Sequence, residues 1–123
     1  MNNETMLYRQ VHPTMIEKGR ITSQVFRPTP KDKKQLSAYD GDQITAENSW
    51  RHFTDTLLFS SVGVVGVTVE ECQHHHLDTI PDPKTFREHV LIDFSSHDTE
   101  NQIKKTSKLL RTVADNRGWL YKI

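Results

Sequence analysis

Eight residues in the first third of the chain carry groups suited to holding an anionic or hydrogen-bonding ligand: Arg9, His12, Arg20, Ser23, Arg27, Tyr39, Asp40 and Asp42. Guanidinium forks match phosphate and carboxylate oxygens, and the imidazole, hydroxyls and carboxylates beside them can orient what is bound. The densest run is Arg20-Ile-Thr-Ser-Gln-Val-Phe-Arg-Pro-Thr-Pro-Lys-Asp32, followed by Leu36-Ser-Ala-Tyr-Asp-Gly-Asp42. Non-periodic segments fixed by a scaffold carry function disproportionately. As a set these residues read as a ligand-binding surface. Taken singly, Arg9 and Arg20 read as ion-pair partners of Asp40 and Asp42 that pin strand register.

Other chemistry is less well supported. Cys72 and His76 would lie one helical turn apart, with His74 and His75 between them, and His89 or His97 further on. A closed zinc site needs paired ligand motifs at recognisable spacing, and none is present, so no metal is expected. Cys72 follows a strand-like run at the start of a helix, where a thiolate is favoured, but Glu70 and Glu71 oppose ionisation. There is no Gly-x-Ser-x-Gly motif and no glycine-rich phosphate loop. Catalysis by cysteine or serine is therefore not expected, and Cys72 reads as a packing residue. Lys104, Lys105, Lys108 and Arg111 form a basic helical face that could rest on a nucleic-acid backbone, or serve simply as a solvated side.

These groups must be positioned by short elements. Leu7–Val11 alternates as a strand, and Pro13–Glu17 suits a helical turn closed by Gly19. Ile21–Phe26 reads as a second strand, ended by Pro28 and Pro30, and Leu36–Tyr39 as a third, closed by Asp40-Gly41. Thr45 is a suitable N-cap for a helix whose apolar stripe is Ala46, Trp50, Phe53 and Leu57. Val62–Val69 is apolar or small on both faces and reads as the central strand, with Gly63 and Gly66 marking close packing. Thr68-x-x-Glu71 is a capping box opening a short helix to about His76. Asp78–Lys84 reads as a loop and His89–Phe94 as a strand. The longest helix runs through Ile103, Thr106, Leu110 and Val113 to a stop at Gly118, and Trp119–Ile123 can pair back into the sheet. The expected fold is a single α+β domain over residues 1–123, with 1–5 disordered. Its mixed sheet of about five to six short strands carries two main helices, 45–58 and 99–116, covering one face.

Composition sets the outer bounds. The 123 residues have a formal net charge of zero, 34% hydrophobic and 26% charged content, which argues against nucleic-acid binding driven by bulk charge. Charge is nonetheless segregated: residues 1–42 hold seven Lys/Arg against five Asp/Glu, 43–98 three against nine, and 99–123 six against two. A lone cysteine excludes an internal disulfide framework and suits a reducing cytoplasm. The polar start lacks a signal peptide's pattern, and the apolar run at 61–69 is too short to span a bilayer.

Arg9-Gln-Val-His-Pro13, the Gly19–Asp32 and Leu36–Asp42 runs, Val64–Cys72 and Arg117-Gly-Trp-Leu-Tyr121 resemble a family of short uncharacterised bacterial proteins, which implies a bacterial origin and no activity. Locally, Leu7-Tyr-Arg9 followed by Thr22-Ser23 and Phe26 is similar to the opening of ADP-ribosyltransferase domains. That resemblance implies an NAD- or nucleotide-processing enzyme in which Arg9 holds pyrophosphate and Ser23 supports the pocket. The family's closing glutamate has no clear match here. The expectation is a small cytoplasmic bacterial binding or accessory protein. It would recognise a protein partner or a phosphate-bearing ligand and would need no cofactor.

Overall fold

A computed structural model describes all residues, 1–123. Strand β1 is Met6–Val11. After a 3-10 turn at Pro13–Met15, β2 (Ile16–Glu17) and β3 (Arg20–Ile21) form a hairpin. Its turn residues Lys18 and Gly19 both have positive φ, 52° and 78°, as a two-residue hairpin of the primed type demands. Two further 3-10 turns, Ser23–Phe26 and Pro30–Asp32, lead into β4 (Gln35–Asp40). Helix α1 (Ala46–Arg51) continues as a π-helical turn, His52–Thr56, before β5 (Gly63–Thr68) and α2 (Val69–His74). Edge strand β6 (Asp78–Pro81), β7 (His89–Asp93), α3 (Glu100–Arg117) and β8 (Tyr121–Lys122) complete the chain.

The fold is α+β, and the main sheet has six strands in the order β6-β7-β4-β1-β5-β8. The mixed pairing expected from sequence narrows to antiparallel ladders throughout. One face is apolar: Leu7, Val11, Leu36, Ala38, Val65, Val67, Val90 and Ile92 meet Val25, Phe26, Phe94 and the α3 residues Ile103, Leu110 and Ala114 in a continuous buried core. Burying a side chain of this size contributes roughly 1.5–3 kcal/mol. The opposite face carries α1, joined to it by Trp50 Nε1 donating to the Ser61 carbonyl at 2.9 Å and by Gln10 Nε2 donating to Ser49 Oγ at 3.1 Å. The two main helices thus cover opposite faces, not one. Each is capped as its sequence dictates, with Thr45 and Thr99 accepting from the backbone N–H three residues on.

Several local expectations are corrected. Ile21–Phe26 is not a strand. Only Arg20–Ile21 pairs, and the chain then coils into a 3-10 turn in which Val25 and Phe26 are both buried. Gly19 closes a hairpin rather than a helical turn. Asp78–Pro81 is a strand, with Pro81 tolerated because β6 is an edge. Strand β5 lies second from the edge; its neighbour β8 pairs only with Gly63 and Val64. A Cβ on Gly63 would sit 2.7 Å from the Tyr121 carbonyl oxygen, so the expected close packing is present. Residues 2–5 are held, not loose: the Glu70 N–H donates to the Asn3 carbonyl, the Val69 N–H to that of Thr5, and Thr5 Oγ1 donates to Asp42 at 2.6 Å.

Candidate functional site

The main sheet is incomplete at its centre. Strands β1 and β4 pair only at Leu7–Asp40 and Tyr8–Tyr39, whereas β1 continues along β5 to Val11 and β4 along β7 from Gln35. Beyond Tyr8 the two strands part, and the side chain of Arg9 spans the gap. Its Nε donates to the Val25 carbonyl at 2.7 Å and its Nη1 to the Ser37 carbonyl at 2.7 Å. A side chain therefore satisfies a strand carbonyl left without a ladder partner. Burial pulls the guanidinium down to about 10, partly offset by Asp32, which leaves it charged at neutral pH.

Cavities lie on both sides of the gap, and Arg9 and Ser37 line each of them. The first, about 400 Å³, is walled by Arg27, Pro28, Thr29, Pro30 and Asp32, with Gln24, Met15, Leu36 and, from the start of α3, Glu100. Pro28 and Pro30 hold this wall in extended and 3-10 geometry, and a capping box between Thr29 and Asp32 fixes the turn. Arg27 Nη2 reaches Glu100 Oε2 at 3.1 Å. The cavity thus presents two guanidinium groups, each steadied by the protein, and two carboxylates.

The second cavity, about 110 Å³, is mainly aromatic, lined by Tyr8, Tyr39, Phe53 and Phe86 together with Ser37 and His89. The π-helical turn places Phe53 over it: the Leu57 N–H bonds to the His52 carbonyl at 3.0 Å, one residue further than an α-helix allows. The same turn brings His52 Nδ1 to 2.8 Å from the Tyr39 hydroxyl. Burial first, then Glu88, raises the Tyr39 phenol. Beside His89, Asp82 Oδ2 lies 3.0 Å from Nδ1 and Ser37 Oγ 3.0 Å from Nε2.

Of the eight residues singled out in the sequence, only Arg9 and Arg27 meet at the larger cavity. His12 caps the turn at Pro13 and bonds Thr14. Arg20 pairs at 2.5 Å with Asp115 of α3 and neither Asp40 nor Asp42. Ser23 opens the 3-10 turn and does not line the cavity that Arg9 lines. Tyr39 belongs to the aromatic cavity, while Asp40 closes the turn after β4 by accepting from the Asp42 N–H and Gln43. The register-pinning ion pairs expected for Arg9 and Arg20 do not form, because the Asp40 carboxylate is engaged in its turn, that of Asp42 accepts from Thr5, and both arginines are bonded elsewhere.

The remaining groups resolve locally. Cys72 is fully buried, and burial reinforced by Glu71 pushes its thiol up to about 12. Helix α2 ends at His74, and His76 takes a left-handed conformation at φ 61°, so Cys72 and His76 do not form the one-turn pair. Four histidines, His74–His76 and His97, line an open hollow of about 590 Å³. No group of three or more His, Cys, Asp or Glu is placed to hold a metal ion. On α3, Lys104, Lys105 and Lys108 are exposed, but Arg111 donates to the Ile21 carbonyl at 3.0 Å and serves packing. No helix is long and apolar enough to cross a membrane.

The sequence reading missed Ser37, Asp82 and Glu100, and weighed His89 only as a metal ligand. Asp82 and His89 flank the β6–β7 connection, a signal hidden by treating 78–84 as loop. Ser37 lies inside the expected Leu36–Tyr39 strand, and nothing in that segment's own pattern pairs it with His89. No protein-family model, curated protein or solved structure matches the chain.

Proposed function

We propose that the chain binds a small ligand carrying a phosphate or carboxylate group in the cavity shared by Arg9 and Arg27. The anchoring of Arg9 carries this reading. A guanidinium has five N–H donors in a rigid fork. Here the two carbonyl bonds fix its position in the gap between β1 and β4, and its other donors take no protein acceptor. Such a group is organised for an anion before the anion arrives. Arg27, held by Glu100, stands at the other side of the same cavity. A volume of about 400 Å³ suits a metabolite-sized molecule. Asp32 and Glu100 add acceptors, so a fitting ligand carries hydrogen-bond donors beside its anionic group.

A thermal-shift panel of inorganic phosphate, citrate and nucleotides including NAD tests this. At least one should stabilise the chain, and Arg27→Ala should weaken its binding about tenfold or more, the loss of one hydrogen bond to a charged group. Arg27 is half-exposed, so that variant folds as the parent does. Unchanged affinity in Arg27→Ala, or no stabilisation by any member of the panel, would overturn the assignment.

A further inference from the structure

On the side of the gap away from Arg27, three side chains form a directed relay that neither anion binding nor packing calls for. Asp82 Oδ2 is 3.0 Å from His89 Nδ1, and His89 Nε2 is 3.0 Å from Ser37 Oγ. The Thr85 hydroxyl donates to the same carboxylate oxygen at 2.7 Å, and this bond, with His89, holds the Asp82 carboxyl below its usual range. An ionised carboxylate only accepts, so Nδ1 carries the proton that faces Asp82, and in the neutral imidazole Nε2 is left bare. A bare Nε2 can only accept, so the Ser37 hydroxyl donates to it. Polarity is thereby fixed along the whole relay: carboxylate, imidazole, hydroxyl. His89 is buried, and the Phe86 ring lies 4.8 Å from it. Ser37, by contrast, is exposed on β4 and open to a substrate.

Three separate parts of the fold are needed to build this. Ser37 comes from β4, His89 from the start of β7, and Asp82 from the connection after β6. Tyr39 pairs with His89 and Ser37 with Leu91, so Ser37 and His89 are diagonal neighbours on one face of adjacent strands. Ser37 and His89 both line the small aromatic cavity, and Arg9, positively charged, lines it too.

We propose that Ser37 is a nucleophile activated by His89, with Asp82 as positioning residue, and that the chain hydrolyses esters or thioesters of short acyl groups. Ser37 Oγ adds to the acyl carbon as its proton passes to His89 Nε2, while Asp82 stabilises the imidazolium. The bond from the acyl carbon to the leaving oxygen or sulfur breaks, and that atom departs with the proton from His89. Water then adds to the acyl-Ser37 ester, its proton going to His89. The bond from carbon to Oγ breaks, Oγ recovers the proton, and the free acid leaves. The aromatic cavity of about 110 Å³ sets the acyl size as short, and the Arg9 charge favours the oxyanion formed at each addition. This inference goes beyond ligand binding: it shares Arg9 with that reading but rests on the Asp82–His89–Ser37 geometry, in which Arg27 takes no part.

The test is covalent labelling of the full chain by a small alkyl fluorophosphonate, read by intact mass and peptide mapping. The expected result is one adduct at Ser37 with release of fluoride, and none in Ser37→Ala. His89→Gln should also block labelling. Because His89 is buried, Asp82→Asn supplies a check that does not depend on the folding of that variant. An asparagine amide donates to Nδ1 and drives the proton to Nε2, so labelling should slow by on the order of a thousandfold or more. The same tautomer switch should appear in the His89 ring 1H–15N spectrum, which ties slowed labelling to the Asp82–His89 bond in a folded chain rather than to unfolding. Arg27→Ala with the anion panel reads the binding site and fluorophosphonate labelling of the parent chain reads the relay, so the two proposals are decided by different signals and fail separately. A folded parent chain that takes no label at Ser37, or equal labelling in Asp82→Asn, would overturn the relay.

Discussion

The two faces of the main sheet are built differently. Beneath α3 the face is apolar and continuous: Leu7, Val11, Val67, Val90, Ile92 and Phe94 are almost wholly buried and close on one another. Beneath α1 the face is held by polar and aromatic pairs, namely Gln10 with Ser49 and Ser61, Tyr39 with His52, and His89 with Asp82 and Ser37. The first kind of surface supplies stability through area removed from water. The second supplies little net stability per contact but sets where each atom points. The gap between β1 and β4 leaves a cavity on each side, and Arg9 lines both. The two proposed sites both lie where the core is interrupted, the anion cavity on the α3 side and the Ser37–His89 relay on the α1 side.

The sharpest way to break that contrast is to remove volume from the α3 face. Phe94→Ala should cost about 3–5 kcal/mol, measured by urea denaturation. A loss under about 1 kcal/mol would show that the apolar face does not carry the stability assigned to it. The glycines of β5 compare the faces directly. Gly63→Ala drives a Cβ against the Tyr121 carbonyl at 2.7 Å and the Trp119 ring at 2.9 Å, whereas Gly66→Ala meets the mobile ends of Leu120 and Met6 first, at 2.8 and 2.9 Å. Overpacking costs about 1–3 kcal/mol, and the Gly63 variant should lie well above the Gly66 variant. Equal losses would contradict the close docking of β8.

Much of this framework is legible in the sequence because it follows from periodicity and caps. The stripe Ile103–Thr106–Leu110 located α3, Thr68-x-x-Glu71 located α2, and Val90-x-Ile-x-Phe94 located β7. The Val25–Phe26 pair was misread because two adjacent buried residues suit a 3-10 turn as well as a strand covered on both faces. The site was less legible for a different reason. The part played by Arg9 depends on two strands parting after Tyr8, and the Ser37–His89 contact on a diagonal across a strand pair. Both are properties of tertiary register, to which no single segment's pattern refers.

A smaller effect tests the electrostatic tie between α2 and α3. Burial alone would raise the Glu71 carboxyl, but hydrogen bonds from Arg117 and Thr68 outweigh it and hold the carboxyl below its ordinary value. A folded pKa below the unfolded one contributes stability that is present above the unfolded value and lost as pH falls through the folded one. Glu71→Gln should therefore cost about 1 kcal/mol at neutral pH, since the pair is partly exposed. The difference from the parent chain should vanish in acid. A deficit that persists in acid would assign the loss to packing. The smallest expected effect is Ser37→Ala, an exposed strand position whose loss should change stability by less than about 0.5 kcal/mol. A larger loss would mean that the hydroxyl braces the polar face.

The central claim, that ligands enter at the opening between β1 and β4, is most directly tested by mapping 1H–15N amide shifts during titration with the best-stabilising anion of the binding panel. The shifts should concentrate at Arg9, at Arg27 to Asp32 and at Leu36–Ser37. Shifts confined to the histidine-lined hollow at His74–His76 and His97, or to the exposed lysines of α3, would contradict it.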